Sequence, residues 1–195
     1  LASSGMLRGI SLMITDGKPI TKFGKEFMQL GIGRIGEFQV PVLFALALIL
    51  LSFPLMFHVK WGNYVRALGG SESALKRSGV RTGFYRISVH MLLGITAAVT
   101  AVIITARLNS AEPNAGMNME LDAITAVIMG GTPIRGGNAS IAGTVLAVLI
   151  LGSIRNGLTL LSVSSDFQQW ITGFLLLASV LISEIRVWNI KALTK

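Results

Sequence analysis

The chain has 195 residues, 52% of them hydrophobic and 13% charged, with a mean hydropathy of +0.68. A soluble domain carries roughly 25% charged residues, so this balance excludes an ordinary globular protein and points to a polytopic membrane protein. The net charge of +8 does not argue for nucleic acid, because the basic residues lie between apolar stretches, where they act as topology signals; the lack of cysteine excludes disulfide and thiolate chemistry.

The opening LASSGMLRGISLMI, Leu1 to Ile14, starts in mid-pattern without a signal-peptide n-region. It reads as the end of a helix, and the chain as the C-terminal part of a longer polypeptide. GIGRIG, Gly31 to Gly36, has the G-x-G-x-x-G spacing of a dinucleotide loop. No strand precedes it and no βαβ unit follows, so the match is read as accidental. The first span is Val40 to Phe57, VPVLFALALILLSFPLMF, uncharged and about 27 Å long as a helix. Pro41 suits its first turn, and Pro54 is expected to kink its far end.

Next comes a basic segment, 58–86, with Lys60, Arg66, Lys76, Arg77, Arg81 and Arg86 against the single acid Glu72. Within it SESALKR reads as a short helix bounded by Gly69-Gly70 and Gly79. Ser71 is its N-cap, Glu72 lies in the first turn, Lys76 and Arg77 in the last, and Gly79 takes a C-cap position. So short a helix has no core of its own and is read either as a solvated loop ornament or, preferred, as a handle for a soluble partner. A second span covers about 87–106, a third 138–154 and a fourth 169–185. Trp170 and Trp188 bracket the fourth, about 27 Å apart on a helix, one for each interfacial belt; Trp61 has the same role after the first span.

Positive-inside counting places 58–86 in the cytoplasm, 107–120 outside, and the basic C-terminus in the cytoplasm. Lys18, Lys22, Lys25 and Arg34 run against this, partly offset by Asp16, Glu26 and Glu37. The second span then ends outside and the fourth starts outside, so the chain must return inward between Leu121 and Gly137. LDAITAVIMGG provides only about 16 Å of helix, too little for a crossing. The expectation is a broken, re-entrant helix pair near 121–138, with a glycine-rich break that is sheltered by other helices or lines a wet path. Asp122, Gly130, Gly131, Thr132, Gly136, Gly137, Asn138 and Asn156 are its candidate pathway residues. Two ladders of small residues support close packing: Ala139, Gly143 and Ala147 on the third span, and Gly94, Ala97, Ala98 and Ala101 on the second.

GTPIRGG, Gly131 to Gly137, has the glycine spacing of a phosphate loop, but Gly137 stands where the lysine is required, which excludes a Walker A loop. The sequon Asn138-Ala139-Ser140 begins a span and is inaccessible to glycosylation. His58 and His90 lack partners at ligand spacing, so no metal site and no catalytic residue is expected. The spans are nearly free of ionisable groups, with Asp122, Arg135, Arg155 and Glu184 at span ends or in the break. An ion-coupled carrier commonly needs a carboxylate at midplane, and a path lined by backbone, Ser, Thr and Asn groups suits a neutral, hydroxyl-rich solute.

WGNYVRALGGSESALKRSGV, followed by AEPNAGMNMELDAITAVIMGGTPIRGGNASIAGTVLAVLILGSIRNGLTLLSVSSDFQQWITGFLLL, resembles the permease subunits of bacterial ATP-binding cassette importers for monosaccharides of the ribose, xylose and galactose type. The likeness also takes in GMLRGISLMITDGKPI near the start. It implies an all-α, multi-pass bundle in the bacterial inner membrane, forming one transmembrane domain over 1–195 that is N-terminally truncated. It implies a second permease subunit, two cytoplasmic ATPase subunits that bind the ATP, a periplasmic sugar-binding protein, and no cofactor on this chain. The 58–86 loop would dock on the ATPase, with Gly70, Glu72, Ala74, Leu75 and Gly79 matching the family pattern and Arg77 beside them. Ser71 and Leu75 stand where the family usually carries Asn and Ala. Permeases for branched-chain amino acids are distant relatives and the alternative by likeness; an ion-coupled secondary carrier is the alternative by class.

Overall fold

The computed structural model describes residues 2–134 and 136–193, with side chains up to Ser183. Leu1, Arg135 and the side chains of Glu184 and Trp188 therefore lie outside the described residues. The elements in order are α1 (Ala2–Thr15), β1 (Ile20–Thr21), α2 (Lys25–Ile32), β2 (Arg34–Ile35), β3 (Phe38–Gln39), α3 (Val40–Phe57), α4 (Lys60–Gly70), α5 (Glu72–Arg77), α6 (Thr82–Leu108), β4 (Ser110–Ala111), α7 (Met119–Met129), α8 (Ile141–Leu160) and α9 (Ser165–Leu193). Four helices are long and apolar enough to cross a membrane: Val40–Phe57, Thr82–Leu108, Ile141–Leu160 and Ser165–Ser183. These are the four spans expected from sequence, and the all-α bundle class holds. The chain divides into two compact units, 1–52 with 86–117, and 53–85 with 118–195.

In the first unit, α3 buries no residue and its apolar side chains, such as Leu50 and Leu51, stand well exposed. Lipid removes the incentive to bury them, so a membrane span need not have a dry core of its own. Beyond the span, short elements fasten to the exit of α6. β1 pairs antiparallel with β4, Ile20 opposite Ala111 and Thr21 opposite Ser110. Gly31 of α2 is buried with its Cα against the backbone of Ala106 and Arg107 near the end of α6, where a Cβ would overlap. Ala106 is correspondingly fully buried.

The GIGRIG stretch has a structural explanation here. Gly31 makes that close approach, and the Gly33 N–H caps α2 by donating to the Gln29 carbonyl at 2.8 Å. Gly36, at φ +65°, turns β2 into β3, whose register sets Arg34 opposite Gln39. None of these short elements is legible from periodicity, since two-residue strands and a two-turn helix lie below the length at which a pattern repeats.

Pro54 does not end α3 at once. The helix runs on to Phe57, and the Pro54 carbonyl then accepts from His58 N–H (2.8 Å) and Val59 N–H (3.2 Å). In the second unit, α7 packs on both α8 and α9, and Thr125, Ala126 and Ile128 of α7 are buried there with Ala147 of α8; Leu75 and Thr82 are buried elsewhere in the unit. The Gly94 ladder of α6 meets nothing of this kind: Gly94 faces open space, and Ala97, Ala98 and Ala101 are exposed.

Gly31→Val is expected to destabilise the full-length protein by about 1–3 kcal/mol, because the added atoms meet backbone that cannot step aside. Gly94→Ala, placed in open space within a helix, is expected to be neutral or to stabilise by up to about 1 kcal/mol. Thermal unfolding in detergent measures both, and equal effects at the two positions would contradict the packing described.

Candidate functional site

The basic segment folds as two helices separated by one extended residue. α4 starts tightly after α3, because Gly62 rests against the carbonyls of Leu55 and Met56, leaving no room for a Cβ. It ends at Gly69-Gly70, and Ser71 (φ −158°, ψ 100°) is extended. The Ser71 hydroxyl accepts from Ala74 N–H at 3.3 Å, capping α5 as its sequence predicts. At the other end Gly79, φ +77°, donates its N–H to Lys76 O at 3.0 Å, and Val80 N–H donates to Leu75 O at 3.4 Å. This paired arrangement is a Schellman stop, which requires the left-handed residue that Gly79 supplies.

Glu72 joins α5 to α6. Its Oε1 accepts from Lys76 Nζ at 2.9 Å and from the hydroxyl of buried Thr82 at 3.4 Å. Leu75 is the buried residue of α5, while Ala74, Lys76 and Arg77 are exposed. The short helix is thus pinned by Leu75 and Glu72 and offers a small, basic outer face.

α7 is an 11-residue helix, as short as its sequence implies, and it stops in the glycine-rich break. Gly131 (φ +92°) donates to Ile128 O at 3.0 Å and Thr132 N–H donates to Val127 O at 3.1 Å, a second Schellman stop. Pro133 O accepts from Gly136 N–H at 2.9 Å, and Gly136 and Gly137 follow with φ of +80° and +90°. The Thr132 hydroxyl accepts from Ser140 N–H at 3.2 Å, and the Ser140 hydroxyl accepts from Gly143 N–H at 3.2 Å, starting α8. The break therefore satisfies much of its own backbone through turns and two hydroxyls.

Two backbone-on-backbone contacts hold it in place. A Cβ at Gly130 would overlap Gly143 and Thr144, and one at Gly143 would overlap the Gly130 carbonyl. This contact uses the Gly143 position of the small-residue ladder to bring α7 against α8. A Cβ at Gly69 would lie 2.6 Å from Gly137 N, and one at Gly136 would lie 2.9 Å from Gly69 Cα. The end of α4 thus sits directly on the break. The structure brings Gly70 together with Gly137, and its neighbour Gly69 with Gly136, although the sequence assigns Gly70 and the break to different roles. Asn138 is exposed beside them, and Thr132 is half-buried.

Asp122 and Asn156 are elsewhere. Asp122 is eight residues before Gly130, about 12 Å along α7, and Asn156 is 13 residues beyond Gly143, about 20 Å along α8. Asn156 is exposed. Asp122 pairs with Arg155, which donates bidentately to Oδ2 at 2.8 Å and Oδ1 at 2.7 Å. α8 extends to Leu160, six residues past the expected end of the third span, which places Arg155 within the helix rather than at its end. Arg155 also donates to the Thr172 hydroxyl of α9 at 3.2 Å. Arg155, Thr172 and Gln168, which gather around Asp122, are not among the sequence candidates; for Arg155, opposite charges in neighbouring apolar segments were the available signal. Among the described residues, no group of three His, Cys, Asp or Glu side chains is placed to hold a metal ion.

Comparison with known proteins gives a consistent picture. Residues 6–180 match the family described as branched-chain amino acid transport system / permease component. The chain is 38% identical over 184 residues to the ribose import permease protein of Bacillus subtilis (strain 168), covering 93% of this chain and 57% of that protein. It is 39% identical over 181 residues to the ribose import permease protein of Escherichia coli (strain K12), covering 91% and 56%. With the D-allose transport system permease protein of the same strain it shares 34% over 185 residues, covering 95% and 57%. The chain thus spans little more than half the length of these relatives. No solved structure matches it.

The two glycine environments separate experimentally. Gly131→Ala carries only the strain of a left-handed residue, about 1–2 kcal/mol. Gly69→Ala, at ordinary helical geometry, carries only the overlap with Gly137, about 1–3 kcal/mol. Gly136→Ala combines both and is expected to lower the thermal stability of the full-length permease most; a smaller loss than at Gly131 would contradict the contact between α4 and the break.

Proposed function

Because the chain belongs to the branched-chain amino acid transport system / permease component family, we propose that it is part of the membrane-spanning subunit of an ATP-driven importer that moves a monosaccharide into the cell. Support for a sugar comes from relatives named for ribose and allose at 34–39% identity across more than nine-tenths of the chain. The family description by itself names amino acids, and the likeness to relatives named for ribose and allose favours the sugar. The protein resides in the bacterial inner membrane with its C-terminus and the 58–86 segment in the cytoplasm, as the distribution of basic residues implies.

The observation that carries the mechanism is the seat of Gly69-Gly70 on Gly136-Gly137. A cytoplasmic ATPase cannot reach a solute path inside the membrane; it can only push on what protrudes. The exposed face of α5, with Ala74, Lys76 and Arg77, is the protruding handle, held by buried Leu75 and by the bond from Thr82 at the start of α6 to Glu72. Displacing α4 moves the break without an intervening side chain, because the contact is backbone on backbone. Close-packed contacts of this sort pass displacement between discrete arrangements rather than absorbing it.

ATP binding on two ATPase subunits shifts the permease between an outward-open and an inward-open arrangement by binding one better than the other. A second permease subunit completes the path, and a periplasmic binding protein delivers the sugar. This chain performs no covalent step and carries no catalytic residue or cofactor of its own; the nucleotide belongs to the partner. The pathway residues are those of the break, Gly130, Gly131, Thr132, Gly136, Gly137 and Asn138, with Asp122 and Asn156 nearer the outer end. A neutral sugar crosses without an ion gradient, which separates this importer from an ion-coupled carrier.

Arg77→Glu leaves the buried anchors of α5 in place. It is expected to reduce both co-purification of the ATPase and ribose uptake by about tenfold, equivalent to roughly 1.4 kcal/mol of binding. In vesicles, uptake by the parent protein should require internal ATP and survive collapse of the ion gradients. Uptake that needs the gradient and not ATP would replace the importer with a secondary carrier.

A further inference from the structure

The Asp122–Arg155 pair lies on a cavity of about 190 Å³ within the α7–α8–α9 cluster. Its polar lining is Asp122, Arg155, Gln168 and Thr172, and much of the rest is aliphatic, including Val148 and Leu175. The three helices present the same ends here. Asp122 is in the first turn of α7, Arg155 lies about 8 Å before the C-terminal end of α8, and Thr172 lies about 10 Å into α9. With 58–86 in the cytoplasm, this is the outer side of the bundle.

The hydrogen-bond inventory of the site is specific. Arg155 uses three of its five N–H groups, two on Asp122 and one on Thr172. One N–H on Nη1 and the one on Nε have capacity left, and the Asp122 carboxylate, with about four acceptor positions, receives two bonds from Arg155. The Thr172 hydroxyl donates to Gln168 O at 3.0 Å, and both N–H groups of the Gln168 amide are engaged, by Thr159 Oγ1 at 3.3 Å and Val163 O at 3.0 Å. The cavity therefore offers donors and acceptors side by side, with no net charge.

That combination selects its ligand. A hydroxyl both donates and accepts, so it can bridge the outer edge of an intact carboxylate–guanidinium pair, while aliphatic walls suit the C–H faces of a sugar ring. An anion meets Asp122 and a cation meets Arg155, and a zwitterion gains only by breaking the bidentate pair, which is costly at membrane depth. We infer that the Asp122–Arg155–Thr172 cavity is a binding site for a neutral polyhydroxylated solute on its way into the path. This rests on the sugar-import reading and adds to it a place of contact and a reason for rejecting charged solutes.

A thiol is a clean reporter, because the chain has no cysteine. Leu158 lines the cavity, so Leu158→Cys is introduced into the full-length permease, assembled with its partners and free of other reactive thiols, and labelled with a water-soluble maleimide in right-side-out vesicles. D-Ribose is expected to slow labelling by a factor of 1 + [L]/Kd, about tenfold at roughly ten times Kd, with no effect of L-leucine. Adding Arg155→Gln should abolish protection, and Thr172→Val, which leaves the ion pair in place, should weaken it if the first variant fails to assemble. Protection by L-leucine, protection that survives both substitutions, or a thiol that never reacts overturns the inference. Ribose uptake is measured in the same vesicles. Uptake without protection removes the cavity site alone, whereas absence of both removes the sugar-import reading with it.

Discussion

A polypeptide in hydrocarbon cannot leave backbone polar groups exposed, and the second unit of this chain is organised around meeting that requirement at one place. Between Met129 and Ile141 the chain stops being helical, and backbone must shelter backbone. Gly130 against Gly143 and Gly69 against Gly136-Gly137 do so by removing the side chains that would hold the main chains apart. Thr132 and Ser140 provide the hydroxyls that fill two of the remaining hydrogen-bond positions. The shortness of α7, the start of α8 and the position of α4 all follow from this break.

The same contacts leave the break little room to shift against the end of α4. Side-chain packing can yield by changing rotamers, but glycine backbones in contact cannot. α5, for its part, is held by one buried leucine and one carboxylate rather than by a core. A small helix fastened at two points keeps its outer face, Ala74, Lys76 and Arg77, exposed.

At the other end of α7 the chain uses charge. Asp122 and Arg155 neutralise one another across two helices and reach Thr172 on a third. Either residue alone would be an expensive guest among apolar side chains; together they form a polar pair of no net charge. α7 therefore joins two different kinds of site, glycine contacts at its C-terminal end and a charge pair near its start.

Much of this was legible in the sequence. Each span is long enough for its apolar character to repeat, so Val40–Phe57 is read to the residue, and composition alone excludes a soluble fold. Ser71 and Gly79 announce the ends of α5 because capping is local chemistry, and the 11 residues before Gly130 are too few to cross a membrane whatever surrounds them. What the sequence could not hold was proximity. Gly70 and Gly137 are 67 positions apart, and Asp122 and Arg155 are 33. Nothing in the local pattern of any of them specifies the other, because a glycine or a single charge carries no periodicity and its partner is chosen by how helices pack. Length, polarity and capping are properties of neighbouring residues and were fixed by the order of the chain; the joining of α4 to the break, and of Asp122 to Arg155, came only with the tertiary structure.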